Sequence, residues 1–310
     1  MIFLLQKTLI YAIPLLIVAL AGMFAERSGI INIALDGIMV FGSFIGAVYV
    51  YLLQKNDLLT GHPQIVFITA MLVAAAAGAI FSLLLSFSAI NLKADQTIGG
   101  TALNLLAPAL ALFFVKVFFM QDKLVMPKDI GFVILNNDVK GVGKVFFDKA
   151  YVSTFIAAGL FILLSLFMYK TKYGLRLRAC GEHPQAADSV GINVYKMRYL
   201  GTTISGALAG MGGYIYIATV AGGTCDGSVA GMGFLALAIM IFGNWKPLGI
   251  VEGSAVTLFL YYIVHSHRHI LRRAARGAAR QLIYGAAPAS ANSMRRQAPL
   301  DFCFYLAPLS

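Results

Sequence analysis

Charge is scarce in this chain. Asp, Glu, Lys and Arg supply 12% of its 310 residues, against about 25% in an ordinary soluble domain. Acidic residues are the scarcer sign, 13 against 24 Lys and Arg, so the formal net charge is +11. A soluble globular fold does not fit this balance. With 59% hydrophobic residues, lipid is the solvent expected for much of the surface. A nucleic-acid partner does not fit either, despite the positive charge. The basic residues form no stripe on a soluble face. They lie between apolar runs, where cytoplasmic loops collect Lys and Arg, or in the C-terminal tail.

Cysteine is nearly absent too. Cys180, Cys225 and Cys303 stand far apart, without CxxC or mixed Cys/His spacing, so neither a metal site nor a disulfide framework is expected. No GxSxG, HExxH or P-loop run occurs. An enzyme and a bound cofactor are therefore not expected, and if transport here consumes ATP, the ATP site lies on another chain.

What the chain does have is long apolar runs. About 20 such residues cross a bilayer. Eight candidate spans follow: 6–24, 30–53, 64–88, 98–120, 151–169, 199–220, 231–243 and 248–264. The fold expected is an all-α polytopic membrane protein with about 8 transmembrane helices, some of them short or broken. The first run is read as a span and not as a cleaved signal, because another apolar run follows almost at once. The seventh is short, and Gly222, Gly223, Gly227, Gly231 and Gly233 crowd its entrance. It reads as a half-helix or re-entrant piece, which only protein or a water-filled cavity can surround. Ala74 to Gly78 and the pairs Gly42/Gly46, Gly206/Gly210 and Gly249/Gly253 make small-residue faces for close helix packing.

The longest basic connection, 170–198, carries Lys170, Lys172, Arg176, Arg178, Lys196 and Arg198 against Glu182 and Asp188. The positive-inside rule places it in the cytosol, with loop 89–97 and the turn Asn244–Pro247 on the same side and the N-terminus outside. Loop 121–149 strains that assignment: it would be external, yet it holds five lysines, roughly balanced by four aspartates. Within the basic loop, Pro184 suits a first helical turn, and a short helix is expected from Gln185 to Val190, ended by Gly191. Ala186 and Ala187 keep its side slim enough to enter a partner's groove. The plain alternative is a solvated basic loop.

Polar residues at span ends are the other candidates. Asn32 and Asp36 follow Glu26 and Arg27, and the plain reading there is an interfacial cap with an intra-loop ion pair. Asn104 lies in the fourth span and Glu252 in the last. All four are candidate pathway residues; for Asn104 the alternative is a hydrogen bond to a neighbouring helix. Tyr214, Tyr216 and Phe234 are candidate stacking partners for a base, with ordinary packing as the alternative.

The last stretch is unlike the rest. Up to Ile263 the arginines are Arg27, Arg176, Arg178 and Arg198. Beyond it lysine vanishes, seven arginines appear, and three of the five histidines gather at His265, His267 and His269. A basic amphipathic surface helix and a shift of reading frame each account for the change. Residues 1–263 are read as the permease domain and 264–310 as an atypical tail holding no functional residue.

Several segments together resemble a known family. The run Gly174-x-x-x-Arg178-Ala-x-Gly181-x-x-x-x-Ala186-Ala187-x-x-x-Gly191-Ile192 looks like the cytoplasmic loop of ABC importer permeases of the branched-chain amino acid and ribose type. Glu26-Arg-Ser-Gly-Ile-Ile-Asn32-Ile-Ala-Leu-Asp36-Gly37 resembles that family's ERxGxxNIGxEG run, with Ala34 and Asp36 in place of Gly and Glu. Lys93 to Asn104 and Ile241 to Pro247 resemble the subgroup that imports nucleosides and related simple sugars. The resemblance covers residues 6–263 and stops at the tail. It implies a bacterial plasma-membrane permease subunit that does no covalent chemistry. It implies a coupling helix seated on ABC ATPase subunits, with Arg176, Arg178, Gly181, Ala186, Ala187 and Gly191 as the coupling residues. It also implies a second permease subunit and an extracytoplasmic substrate-binding lipoprotein. A secondary transporter or channel without an ATPase would instead need ion-coupling carboxylates deep in spans, where only Glu252 and Asp36 qualify. A membrane enzyme would need clustered His, Asp or Glu at one depth, and none is read.

Overall fold

The computed structural model describes residues 2–56, 62–126, 133–135 and 150–257. The tail, most of loop 121–149 and the end of the eighth expected span lie outside the described residues. The described part up to residue 257 belongs to one compact unit and is helical nearly throughout. The helices are α1 (Ile2–Arg27), α2 (Leu35–Lys55), α3 (Pro63–Ser86), α4 (Gln96–Phe119), α5 (Val152–Lys170), α6 (Lys172–Glu182), α7 (Pro184–Ser189), α8 (Val194–Thr219), α9 (Met232–Phe242) and α10 (247–257). A wider π-type turn, Phe87–Asn91, ends α3. Asp95 caps α4 by accepting from the Thr97 and Ile98 amides.

Among the described residues, five helices are long and apolar enough to cross a membrane: α1, α2, α3 with its π turn, α4 and α5. The expected span 199–220 is helical to Thr219, in the 26-residue α8, but is not one of the five. The expected span 231–243 is the 11-residue α9. The second expected span is corrected at its start. It was placed from residue 30, yet 28–34 is not helical and α2 begins at Leu35.

α8 is the hub. It packs against α1, α2 and α3, and its composition explains how. Serine, threonine and glycine recur along it, so neighbouring backbones reach its axis. A Cβ on Gly210 would lie 2.4 Å from the Ala74 carbonyl oxygen. On Gly206 it would lie 2.2 Å from Ser82 Oγ, and on Gly42 2.4 Å from the Gly210 Cα. The small-residue faces therefore meet one another, as close helix packing requires. Serine and threonine fill the polar points of the seam: Ser86 and Thr202 share a hydrogen bond at 2.5 Å.

α4 and α5 turn apolar side chains outward. Leu105, Phe118, Ile162 and Leu163 are all exposed, a surface suited to lipid and not to water. Two short ladders link connections. Leu124 and Val125 (β1) pair antiparallel with Thr224 and Cys225 (β4), and Val133–Leu135 (β2) pairs with Ala150–Tyr151 (β3). The first ladder brings the exit of α4 and the exit of α8 to one end of the bundle. The end of α1, the π turn, the α6–α7 segment and the α9–α10 turn gather at the other.

Candidate functional site

Residues 28–34 break the chain between α1 and α2 while sheltered by α4 and α8. Backbone that leaves a helix inside a bundle must find new partners. Here polar side chains supply them. The Ile31 amide donates to Gln96 Oε1 at 2.8 Å. Asn104 donates from Nδ2 to the Ile33 carbonyl at 2.9 Å and accepts the Gly37 amide at 2.7 Å. Asn32, fully buried, donates to Ser205 Oγ at 2.9 Å. Gly100 and Gly37 let α4 come this close: a Cβ on Gly37 would meet the Leu103 carbonyl oxygen at 2.7 Å.

Asp36 serves a different helix. Its Oδ1 accepts the Gly233 amide at 2.9 Å, in the first turn of α9, whose preceding residue Gly231 is left-handed at φ +71°. A carboxylate at a helix N-terminus is favoured by the exposed amides and the helix dipole. Of the four pathway candidates, Asn32 and Asn104 thus tie the unwound stretch to α8 and α4, and Asp36, just beyond it, ties α2 to α9. Glu252 does not join them. It lies on α10 and is exposed. Tyr214 is fully buried against Phe67 and packs in the core, whereas Phe234 is half exposed.

The basic connection folds into two helices. The expected short helix is α7, with Pro184 in its first turn and Gly191 beyond its end at φ +82°. The helix before it, α6, was not anticipated. Its signal was Thr171, whose Oγ1 accepts the Gly174 amide at 3.1 Å. Arg176 is exposed, while Arg178 stacks its guanidinium over Tyr169 at 4.9 Å from the ring centre. Ala186 is exposed but Ala187 is buried, packed with Cys180 and Val194. The two alanines therefore do not share one docking face. Gly181 lies against the end of α1, where a Cβ would come 2.5 Å from the Arg27 carbonyl oxygen.

Glu26 and Arg27 reach across this end of the bundle, and no ion pair between them is found among the described residues. Trp245 Nε1 donates to Glu26 Oε2. Arg27 donates to the Trp245 carbonyl at 3.3 Å and pairs with Glu182 at 3.7 Å. No group of three or more His, Cys, Asp or Glu that could hold a metal occurs among the described residues. The arrangement presents ties around an unwound stretch and a carboxylate at the start of α9.

Residues 4–267 match the family model described as the branched-chain amino acid transport system permease component. The guanosine ABC transporter permease NupQ of Bacillus subtilis is 41% identical over 245 residues, covering 78% of this chain and 75% of that protein. The nucleoside ABC transporter permease NupC of Lactococcus lactis is 40% identical over 248 residues, covering 79% and 77%. No solved structure gives a significant match.

Proposed function

This chain belongs to the permease component family of branched-chain amino acid transport systems, and from that premise we propose that the solute it passes is a nucleoside. It is an integral-membrane subunit of an ABC importer and a transport component, not an enzyme. The observation that carries the substrate reading is the likeness, at 41% and 40% identity, to permeases named for guanosine and for nucleosides. Uptake of labelled guanosine by cells carrying the complete transporter tests it. Unlabelled purine nucleosides should suppress uptake, and leucine and ribose should not. Suppression by leucine or ribose alone would overturn the assignment.

ABC permeases work with ATPase subunits and a substrate-binding protein. In our reading, α6 and α7 form the coupling segment on the cytosolic side, with Arg176 and Ala186 on its open face, and Gly181 and Ala187 holding it to the bundle. Their exposure, and the packing of Gly181 on α1, support this. The further partners are a second permease subunit and an extracytoplasmic lipoprotein. Eight spans remain our count, with α9 as a half-helix. The end of the α6–α7 segment is then cytosolic, and the β1–β4 end faces out. The basic residues of 170–198, Lys170, Lys172, Arg176, Arg178, Lys196 and Arg198, support this orientation.

Residues 1–263 are the permease domain in this reading. The change of composition after Ile263 and the end of the family match at 267 support the boundary. Resequencing the gene across the tail checks the frameshift reading, which an unchanged sequence would retire.

A further inference from the structure

Three elements converge on one guanidinium. Arg27 ends α1; its Nη2 donates to the Trp245 carbonyl in the α9–α10 turn, and its Nη1 faces Glu182 at the end of α6. As a stabilising device the ion pair is poor. Glu182 is 69% exposed and the gap is 3.7 Å, a geometry that water screens. Its position says more. The backbone of α6 lies directly on residues 27–29, where a Cβ on Gly29 would meet the Gly181 Cα at 3.3 Å. No bulky side chain cushions that contact, so a displacement of α6 acts on the end of α1 at once.

The turn on the far side is itself strained. Asn244 and Trp245 both adopt left-handed backbone, at φ 51° and 52°, a conformation that residues other than glycine hold at a cost when surroundings impose it. The surroundings are Glu26, on the indole, and Arg27, on the carbonyl. A cavity of about 190 Å³ bounded by Glu26, Arg27, Arg178, Gly181, Glu182 and Trp245 leaves the guanidinium room to shift.

We infer that Arg27 is the positioning residue that passes movement of the α6–α7 segment to α1 and to the α9–α10 turn. The inference rests on the reading of α6–α7 as the coupling segment. Pushing α6 inward carries Glu182 and Gly181 against α1, and Arg27 draws the Trp245 turn with them. α9 then pivots about its N-terminus, which Asp36 of α2 holds. Rigid helices joined at a few such points are the usual means of rocking one bundle on another.

The test uses the assembled transporter in membranes, with Arg27→Gln, Arg27→Lys, Glu182→Gln and Trp245→Phe variants. Four quantities are measured: abundance of the chain, co-purifying ATPase, ATP hydrolysis and guanosine uptake. Arg27→Gln should keep its abundance and its ATPase, while uptake per ATP hydrolysed falls about fivefold or more. Glu182→Gln, at a largely exposed site, should show the same fall even if Arg27→Gln folds poorly. Arg27→Lys, which keeps the charge but loses the fork, should fall between. Unchanged uptake per ATP in both Arg27→Gln and Glu182→Gln would overturn the inference. So would a loss that merely follows abundance. Absence of ATPase from the unmodified chain's purified complex would overturn the coupling reading and this inference with it.

Discussion

At the scale of single residues, the structure separates positions that tolerate a side chain from positions that do not. Gly210 sits where α3 and α8 touch backbone to backbone, and Gly159 on α5 has nothing within 4 Å of an added Cβ. Gly210→Val should overpack the seam and cost about 1–3 kcal/mol or more, seen as loss of folded chain in detergent. Gly159→Ala should be neutral or stabilising by up to about 1 kcal/mol through helix propensity, seen as an equal or higher melting temperature. Asn104 offers a second contrast. Its amide closes two backbone groups of the unwound stretch, so Asn104→Leu should cost about 1–3 kcal/mol for each group left unpaired. Thermal unfolding of the purified chain checks this. Asn104 was picked from sequence because an amide in an apolar run is conspicuous. Its partners were not readable, since Ile33 and Gly37 present only backbone, which the sequence does not mark.

At the scale of elements, α6 and α7 carry the sharpest expectation. Arg176 and Ala186 are exposed and form the face proposed to meet the ATPase, while Ala187 belongs to the packing beneath. Arg176→Glu with Ala186→Glu should therefore abolish ATPase co-purification and leave membrane insertion intact. Ala187→Glu should lower the abundance of the chain itself, because it buries a charge against Cys180 and Val194. Immunoblots of membrane fractions and pull-downs tell the two outcomes apart. Pro184 and Gly191 made α7 legible in advance, since each has a backbone reason for its place. α6 was missed because its buried stripe is short, Gly174, Leu177 and Cys180 among basic neighbours, and only the modest cap Thr171 announces its start. The break at 28–34 was missed for a related reason. Ile30, Ile31 and Ile33 look like the start of an apolar span, and what unwinds them is the set of partners waiting on α4 and α8.

At the scale of the whole molecule, the apolar runs dictated most of the architecture. Five of the eight expected spans are helices apolar enough to cross a membrane, and the other three are helical over all or part of their described residues. Apolar length is read straight from sequence because lipid imposes it locally. What sequence concealed is the way the helices share α8, since glycine-on-backbone contacts leave no periodic signature of their own. The resemblance read from scattered motifs and the matches to known permeases agree on the family. Guanosine uptake, with leucine and ribose as competitors, remains the measurement at this scale.

α8 also bears on how the protein is made. It is not among the helices apolar enough to cross on their own, yet it lies between α1, α2 and α3. Its glycines, serines and threonines gain partners only once those helices stand in the bilayer. Insertion of the second half of the chain is then a cooperative event, with the first three helices as the template for the fourth that joins them. A fragment beginning at α6 should leave α8 outside the membrane and exposed to protease. The same fragment expressed beside residues 1–126 should bring it in.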